Sequence, residues 1–201
     1  MLGAWDARYD VPEFVFGTTA NVFLQQQAHR FSAGQNLLAV ADGEGRNGVW
    51  LAQQGLAVTA VDSSAVAQAK ARQLALERHV SMEFIHADLL NWNWGVAHYD
   101  AVIAIFIQFA TGAERDAMFA GMQTATIPGG LIVLQGYTPR QLEYKTGGPP
   151  SAENMYTIAL LQDYFKDWEI LHLLEHDAEI SEGAHHHGMS ALIDMVARKP
   201  I

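Results

Sequence analysis

The sequence contains no cysteine among its 201 residues. The chain therefore cannot form a disulfide, use a thiolate as a nucleophile or bind a metal through cysteine. Any nucleophilic or metal chemistry would have to use other side chains.

Basic residues are also few. Lysine and arginine together number 12 against 22 aspartates and glutamates, which gives a formal net charge of −10. Proteins that bind the nucleic-acid backbone usually present clustered lysine and arginine, and here these residues are scattered along the chain. We therefore expect a small-molecule partner and no nucleic acid.

Long hydrophobic runs are absent as well. No stretch of about 18 apolar residues is present, and the opening MLGAWDARYD lacks the basic-then-apolar layout of a secretory signal. The sequence thus predicts a cytoplasmic protein without a membrane partner. Since 50% of the residues are hydrophobic, the chain can build a substantial core, and we expect a single domain over residues 1–201. Nothing in the sequence indicates an oligomeric state.

Short apolar runs alternate with helical patterns from residue 37 onward, which is typical of a parallel sheet covered by helices. The pattern predicts strands at 37–41, 57–62, 82–87, 99–105 and 130–136, and helices at about 47–54, 64–79, 112–126 and 153–165. Two further β-like segments, WEILHLLEHDAEI and MSALIDMVARKP, are joined by SEGAHHHG and predict a final antiparallel hairpin. The longest irregular stretch, 137–152, is of a length that is often functional.

The segment ADGEGRNG, residues 41–48, follows the first predicted strand. Its glycines satisfy G-x-G-x-x-G, and Asp62 ends the next strand at the spacing expected of a ribose-binding acid. Glycines let backbone N–H groups approach a ligand, and a carboxylate can accept hydrogen bonds from two ribose hydroxyls. The pattern fits a dinucleotide or an adenosyl cofactor, and it also fits a plain strand-to-helix turn in which Asp62 caps the following helix.

Three features favour S-adenosylmethionine over NAD. Asp88, after the third strand, offers a second carboxylate at the same sheet edge, where an adenine amino group could donate to it. The aromatic residues Trp5, Tyr9, Phe14 and Phe16 precede the loop and could fold over a ligand. The sequence has no Tyr-x-x-x-Lys pair, and 201 residues leave no room for a separate dehydrogenase domain.

The segments LLAVADGEGRNGVWLA, VTAVD, FIHADLL, YDAVIAIF and PGGLIVLQGY resemble the successive motifs of class I S-adenosylmethionine-dependent methyltransferases, over residues 36–137. The flanking segments WDARYDVPEFVFGTTANVFL, QLEYKTGGPPSAENMYT and EGAHHHG resemble a narrower bacterial group, the small tellurite-resistance-like methyltransferases. The resemblance implies a Rossmann-like three-layer αβα sandwich with a seven-stranded, mostly parallel sheet and an antiparallel last strand. It implies a cofactor-covering segment at 1–35, a cofactor-binding core at 36–137, and a substrate loop with the C-terminal hairpin at 138–201.

The resemblance also implies an activity and its residues: methyl transfer from S-adenosylmethionine to a small molecule, with a thiol, selenol or oxyanion as candidate acceptor. Asp62 would contact the ribose, the residues around Asp88 the adenine, and the glycine loop the methionine end. The candidate cofactor-binding residues are Trp5, Tyr9, Phe16, Gly17, Asp42, Gly43, Glu44, Gly45, Arg46, Asn47, Asp62, Ser63, Ala87, Asp88, Leu89 and Phe106. Arg140, Thr146 and Gly147 are candidate substrate residues, and Tyr144 and His186 are candidate catalytic residues.

The first motif departs from the pattern of the class, which has an acid two residues before its first glycine. Ala41 stands two residues before Gly43, and neither it nor Ala39 is an acid. We therefore expect Asp42 or Glu44 to act near the methionyl amino group. An NAD(P)-binding oxidoreductase and a non-catalytic S-adenosylmethionine-binding protein remain alternative functions at this point.

The histidine run at 185–187, with His172 and His176 before it, invites a metal-site interpretation because histidines two apart on a strand share a face. A solvated hairpin turn explains the same residues. Without carboxylates placed to complete a ligand set, we predict no metal site.

Overall fold

The computed structural model describes residues 2–183 and 187–201. Its strands are β1 (Asn36–Val40), β2 (Ala57–Asp62), β3 (Glu83–His86), β4 (Tyr99–Ile105), β5 (Thr126–Tyr137), β6 (Glu169–Ser181) and β7 (His187–Arg198). Its α-helices are α1 (Asp6–Tyr9), α2 (Val22–Gln26), α3 (Arg46–Gln53), α4 (Ala65–Glu77), α5 (Gly112–Ala125), α6 (Gln141–Tyr144) and α7 (Ile158–Tyr164). Short 3-10 helices lie at Ala28–Arg30 and Ala152–Asn154.

The strands form one seven-stranded sheet in the order β3-β2-β1-β4-β5-β7-β6. Strands β1 to β5 pair in parallel, β7 pairs antiparallel with β5, and β6 pairs antiparallel with β7. Among the seven described strands, β7 therefore runs against all the others. The predicted Rossmann-like α/β fold with an antiparallel last strand is confirmed.

The core lies on both faces of the sheet. Leu38 of β1 packs on one face with Phe119 of α5, while its neighbour Leu37 packs on the other with Leu24 of α2 and Leu51 of α3. Strands buried on both faces read as continuous apolar runs, which explains the run LLAV in β1. Both helical layers of the sandwich are thus anchored on the same strands.

The helix predicted at 153–165 is wrong in its first half. The structure has the 3-10 helix Ala152–Asn154, an extended connection, and only then α7. The connection is held because the N–H of Tyr156 donates to the carbonyl oxygen of Tyr137 at 3.0 Å, and Tyr156 is buried among core residues. A tertiary contact therefore overrides the helical pattern.

The carboxyl ends of the parallel strands point to one edge of the sheet, and the segments after β1, β2, β3 and β4 meet there. Ligands of open α/β sheets bind at this edge. Over the part of the chain that the structure describes, no helix has the length and apolar character needed to cross a membrane.

Candidate functional site

A cavity of about 630 Å³ lies at the carboxyl edge of the sheet. Its size is that of a small-molecule site, for which about 300–1,000 Å³ is usual. Most of the candidate cofactor-binding residues line it: Trp5, Tyr9, Phe16, Gly17, Asp42, Gly43, Glu44, Arg46, Asn47, Asp62, Ser63, Asp88, Leu89 and Phe106. Gly45 and Ala87 are not part of the lining.

Asp62 holds the two loops that form the floor of the cavity. One carboxylate oxygen accepts the N–H of Gly43 and the other accepts the N–H of Ser64, each at 2.8 Å. Burial raises the pKa of the Asp62 carboxyl, and these backbone N–H groups partly oppose the rise. The carboxylate is thereby fixed at the cavity wall, where a bound hydroxyl could use its remaining lone pairs.

The two glycines at the centre of the loop do different things. A Cβ on Gly45, which has φ +86°, would lie 2.7 Å from Cβ of Ala71, so this glycine lets α3 approach α4. A Cβ on Gly43 would lie 2.9 Å from the Tyr9 hydroxyl, inside the cavity wall. Gly45 is therefore needed for the packing of α3 against α4, which explains why it does not line the cavity. Gly43 is needed because a side chain there would collide with Tyr9 at the cavity wall.

The two acids expected near the methionyl amino group are held differently. Glu44 pairs with Lys70 of α4 at 2.8 Å and also accepts the N–H of Phe16 at 3.3 Å. Asp42 accepts only the N–H of Gly48, at 3.1 and 3.2 Å, and no cation of the described residues forms an ion pair with it. Burial raises the pKa of the Asp42 carboxyl to about 7. The Arg46 guanidinium partly opposes this rise, but Asp42 is the acid that forms no ion pair with a described residue.

The N-terminal segment contributes an aromatic wall. Tyr9 is buried and packs edge-on against Phe16, with ring centroids 6.0 Å apart. The guanidinium of Arg8 lies 5.4 Å from the Trp5 ring and 5.2 Å from the Phe16 ring. Because all four residues line the cavity, the segment covers the site predicted for the cofactor.

The opposite wall follows β4 and β5. Phe106, directly after β4, has φ +56° and its ring lies 4.7 Å from that of Tyr137. The side chain of Gln108 fixes the end of β5, because its Nε2 donates to the carbonyl oxygen of Tyr137 and its Oε1 accepts the Tyr137 N–H. Both strand ends are therefore held rigidly at the cavity.

Arg46 joins the glycine loop to the C-terminal hairpin. Its Nη2 lies 2.7 Å from Oε2 of Glu182, and both side chains are 8% exposed. The other guanidinium nitrogen, Nη1, is buried and has no hydrogen-bond partner among the described residues. The methionine end predicted from the resemblance is thus tied to a residue of the hairpin.

The candidate catalytic residue Tyr144 and the candidate substrate residue Arg140 do not line the cavity. Arg140 Nη2 donates to the Tyr144 hydroxyl at 3.0 Å, and Arg140 Nη1 pairs with Asp177 at 2.6 Å. Arg140 directly precedes α6, and Tyr144 is the last residue of that helix. The structure therefore places them together but apart from the predicted cofactor residues.

Thr146 and Gly147 also lie outside the lining. The hydroxyl of Thr146 donates to the carbonyl oxygen of Met189, and Gln141 Nε2 donates to the carbonyl oxygen of Gly147 at 3.1 Å. The next residues, Gly148, Pro149 and Pro150, do line the cavity. The TGGPP segment is thus a wall fastened to β7, with its later half facing the site.

His186 and His185 lie outside the described residues. Within the described part of the chain, no group of three or more histidine, aspartate or glutamate residues is placed to hold a metal ion.

Several cavity residues were not among the candidate site residues or otherwise singled out by the sequence: Ala4, Arg8, Leu90, Ile105, Gln108, Phe109, Glu114, Tyr137, Gly148, Pro149, Pro150 and Asn154. Arg8 and Ala4 lie within the predicted cofactor-covering segment, and the two prolines lie within TGGPP, so position could have indicated them. Gln108 and Asn154 carry no local signal, because their contacts join segments far apart in the chain.

Residues 37–130 match a family model described as a methyltransferase domain. No curated protein sequence is significantly similar to this chain. Over a thousand solved chains resemble it in structure.

Three solved structures illustrate the structural similarity. The first is a protein associated with the conversion of a disulfide bond into a thioacetal group during echinomycin biosynthesis. It is 20% identical to this chain, with a TM-score of 0.80 over 98% of this chain and 91% of that chain. TehB from Haemophilus influenzae is 19% identical, with a TM-score of 0.73 over 97% of this chain and 65% of that chain. Magnesium protoporphyrin IX methyltransferase, ChlM, from Synechocystis PCC 6803 with bound SAH is 20% identical, with a TM-score of 0.68 over 89% of this chain and 80% of that chain.

Proposed function

Because residues 37–130 match the methyltransferase domain model, we propose that this chain is an S-adenosylmethionine-dependent methyltransferase acting on a small molecule. The observation that carries the proposal is the position of Asp62 and Gly43, hydrogen-bonded to each other on the wall of the 630 Å³ cavity. That pair is where the family pattern requires the ribose-binding acid and the open glycine turn.

The residues present fit the cofactor. Gly43 keeps open a wall that a Cβ would crowd, and Asp62 presents a fixed carboxylate beside it. Asp88, at the end of the third strand, lines the same cavity and lies where the adenine is expected. Asp42 adds a buried carboxylate that forms no ion pair with a described residue, which suits the cationic ammonium and sulfonium groups of S-adenosylmethionine.

When bound, S-adenosylmethionine supplies a methyl group that is already activated for in-line displacement. The task left to the protein is to align the acceptor and exclude water. The aromatic residues of the N-terminal segment and the pair Phe106–Tyr137 would enclose the reacting centre from two sides. Proximity is therefore the main source of the rate enhancement that we propose.

For the acceptor, we propose a soft or anionic nucleophile: a thiol, a selenol or an oxyanion. Such groups are available as nucleophiles near neutral pH, so they need little help from a general base. The described lining contains no histidine or lysine that could act as a base near pH 7. One structurally similar protein is associated with the conversion of a disulfide bond into a thioacetal group, a reaction at sulfur, which agrees with this choice.

The proposed activity is tested in two steps. Isothermal titration with S-adenosylmethionine, S-adenosylhomocysteine and NADH should show binding of the first two and none of the third. A panel of thiols, selenols, oxyanions, amines and alcohols, read out as S-adenosylhomocysteine formed, should then give turnover with the soft or anionic group. Binding of NADH alone would support an oxidoreductase instead, and cofactor binding without any turnover would support a non-catalytic binding protein.

A further inference from the structure

Glu182, directly after β6, is a junction between three separate parts of the chain. Its Oε2 lies 2.7 Å from Arg46 Nη2 of the glycine loop, and its Oε1 accepts a hydrogen bond from Asn21 Nδ2 at 2.8 Å. Asn21 lies within the N-terminal segment, directly before α2, and its backbone N–H donates to Asn47 Oδ1 at 2.9 Å. The hairpin, the glycine loop and the N-terminal segment are therefore bonded to one buried carboxylate.

The junction continues into the sheet. Asn21 Nδ2 also donates to Gln135 Oε1 of β5 at 2.6 Å, and Gln135 Nε2 donates to Asp194 of β7 at 2.5 Å. Asp194 in turn contacts His176 of β6 at 2.7 Å. Because these side chains belong to the rigid sheet, Glu182 and Asn21 are held in place from behind.

Gly183 makes the next contact with the N-terminal segment. It has φ +80°, and a Cβ there would lie 2.4 Å from the carbonyl oxygen of Val15 and 2.6 Å from Cα of Phe16. These are backbone atoms, so a side chain could not be accommodated without displacing the segment. Phe16 itself lines the cavity. The backbone at Gly183 is thus in close contact with the segment that supplies the aromatic wall of the cavity.

We propose that Glu182 and Gly183 form a clasp that holds the N-terminal segment closed over the cofactor, with Glu182 as a positioning residue that acts through Arg46 and Asn21. The proposal rests on the proposed function, since it assumes S-adenosylmethionine in the cavity. Glu182 sets the position of the Arg46 guanidinium, and Gly183 sets the closeness of Phe16. Neither residue lines the cavity. They therefore affect cofactor binding only through residues that line the cavity, namely Arg46 and Phe16.

The clasp has a kinetic consequence. A cofactor enclosed by the segment can leave only when the segment moves, so loosening the clasp should accelerate dissociation more than it slows chemistry. Gly183→Ala loosens the backbone contact and leaves the ion pair intact. Glu182→Gln keeps an acceptor for Asn21 and removes the charge opposite Arg46. Glu179→Gln, at an exposed residue near the end of β6, is the matched control.

The test is stopped-flow dissociation of S-adenosylmethionine from the full-length protein, with turnover measured at saturating cofactor. We expect dissociation about tenfold or more faster in Gly183→Ala and Glu182→Gln, from the loss of a close contact or of a charge-assisted bond. Turnover at saturation should fall by less than the dissociation rate rises, and Glu179→Gln should match the wild type. A purely structural role would lower the melting temperature without changing this ratio.

Hydrogen exchange on the wild-type protein gives a measurement that needs no variant. Addition of S-adenosylmethionine should slow exchange in the peptides around Phe16 and around Glu182–Gly183 together. Protection of one without the other, or unchanged dissociation in folded variants, would overturn the clasp. If the wild type does not bind S-adenosylmethionine at all, the proposed function itself is overturned, so the two failures are distinct.

Discussion

Asp62 and Gly43 are joined by a 2.8 Å hydrogen bond from the glycine N–H to a carboxylate oxygen, across 19 residues of sequence. The bond links the end of β2 to the loop after β1, which are the two places where the cofactor is expected to contact the protein. The carboxylate therefore has two roles. It holds the glycine loop in shape before any ligand is bound, and it is the proposed acceptor for the ribose hydroxyls.

Replacing Asp62 by asparagine should weaken both roles. One asparagine oxygen can still accept an N–H, but the amide nitrogen would face the other N–H group, and the charge that favours ribose hydroxyls is lost. We expect S-adenosylmethionine affinity to fall about tenfold or more, and the free energy of unfolding to fall by about 1–3 kcal/mol. Titration calorimetry and denaturant unfolding measure the two effects, with the exposed Asp163→Asn as control. An unchanged affinity would remove Asp62 from the cofactor site.

Asp42 should make stability depend on pH. Its carboxyl has a pKa of about 7 in the folded protein, raised by burial from 3.8. Between these values the folded protein holds a proton that the unfolded chain lacks, so this group lowers the free energy of unfolding as pH rises from about 4 to about 7.

Asp42→Asn removes that titration while keeping an oxygen for the Gly48 N–H. The stability of the variant relative to the wild type should therefore increase from pH 4 to pH 8, by up to about 4 kcal/mol. Denaturant unfolding at several pH values checks this, and Asp163→Asn should show no such trend. A constant difference between variant and wild type would show that Asp42 is ionised throughout.

Trp5 should affect binding more than stability. It is only partly buried and lines the cavity, and its ring lies 5.4 Å from the Arg8 guanidinium and 6.4 Å from the tilted Tyr9 ring. Trp5→Ala should weaken S-adenosylmethionine binding roughly fivefold, the equivalent of about 1 kcal/mol of cation–π contact with the sulfonium. Leu2→Ala, an exposed residue outside the lining, is the control. Equal affinities in the two variants would mean that the segment does not cover the cofactor.

His186, which the family resemblance suggests as a catalytic residue, should make a secondary contribution. With a thiol acceptor, His186→Ala should lose less than about a hundredfold in turnover, because removal of an essential proton-transfer group typically costs about 10²–10⁴-fold. Cofactor affinity should not change. A larger loss, together with a pH–rate limb near the usual histidine pKa of about 6.5, would establish His186 as an essential base. Tyr144→Phe, at a residue outside the cavity, should have little effect on turnover.

Much of the fold could be predicted because its signals are local. The apolar runs of β1 and β4 lie within one residue of their predicted bounds, and α3 and α5 do as well. The start of β5 at Thr126 was predicted four residues too late. Thr126 pairs with Tyr99, and a register shift follows before Ala101 pairs with Leu131, so the ladder passes over the Pro-Gly-Gly sequence that normally marks a turn.

The residues of the candidate site also fall into those that local sequence signals predict and those that depend on contacts between distant segments. Residues next to strand ends, such as Asp62 and Asp88, could be placed because the carboxyl ends of parallel strands must meet. Glu182 and Asn21 could not, since their contact spans 161 residues and depends on how the hairpin closes. Tyr144 was expected near the chemistry from its loop alone, but α6 directs it to Arg140 and Asp177.

The position of β7 between β5 and β6 bears on how the chain assembles. β7 is the last of the seven strands to be synthesised, yet in the described sheet β6 is hydrogen-bonded only to it. During synthesis on the ribosome, β6 therefore has no strand partner until β7 has emerged. The hydrogen bond from Gln135 of β5 to Asp194 of β7 cannot form before then either. The contacts of Glu182 with Arg46 and Asn21 depend on the hairpin that this insertion completes. A nascent chain stopped before β7 should therefore be unable to retain the cofactor and should expose the unpaired edges of β5 and β6 to chaperones.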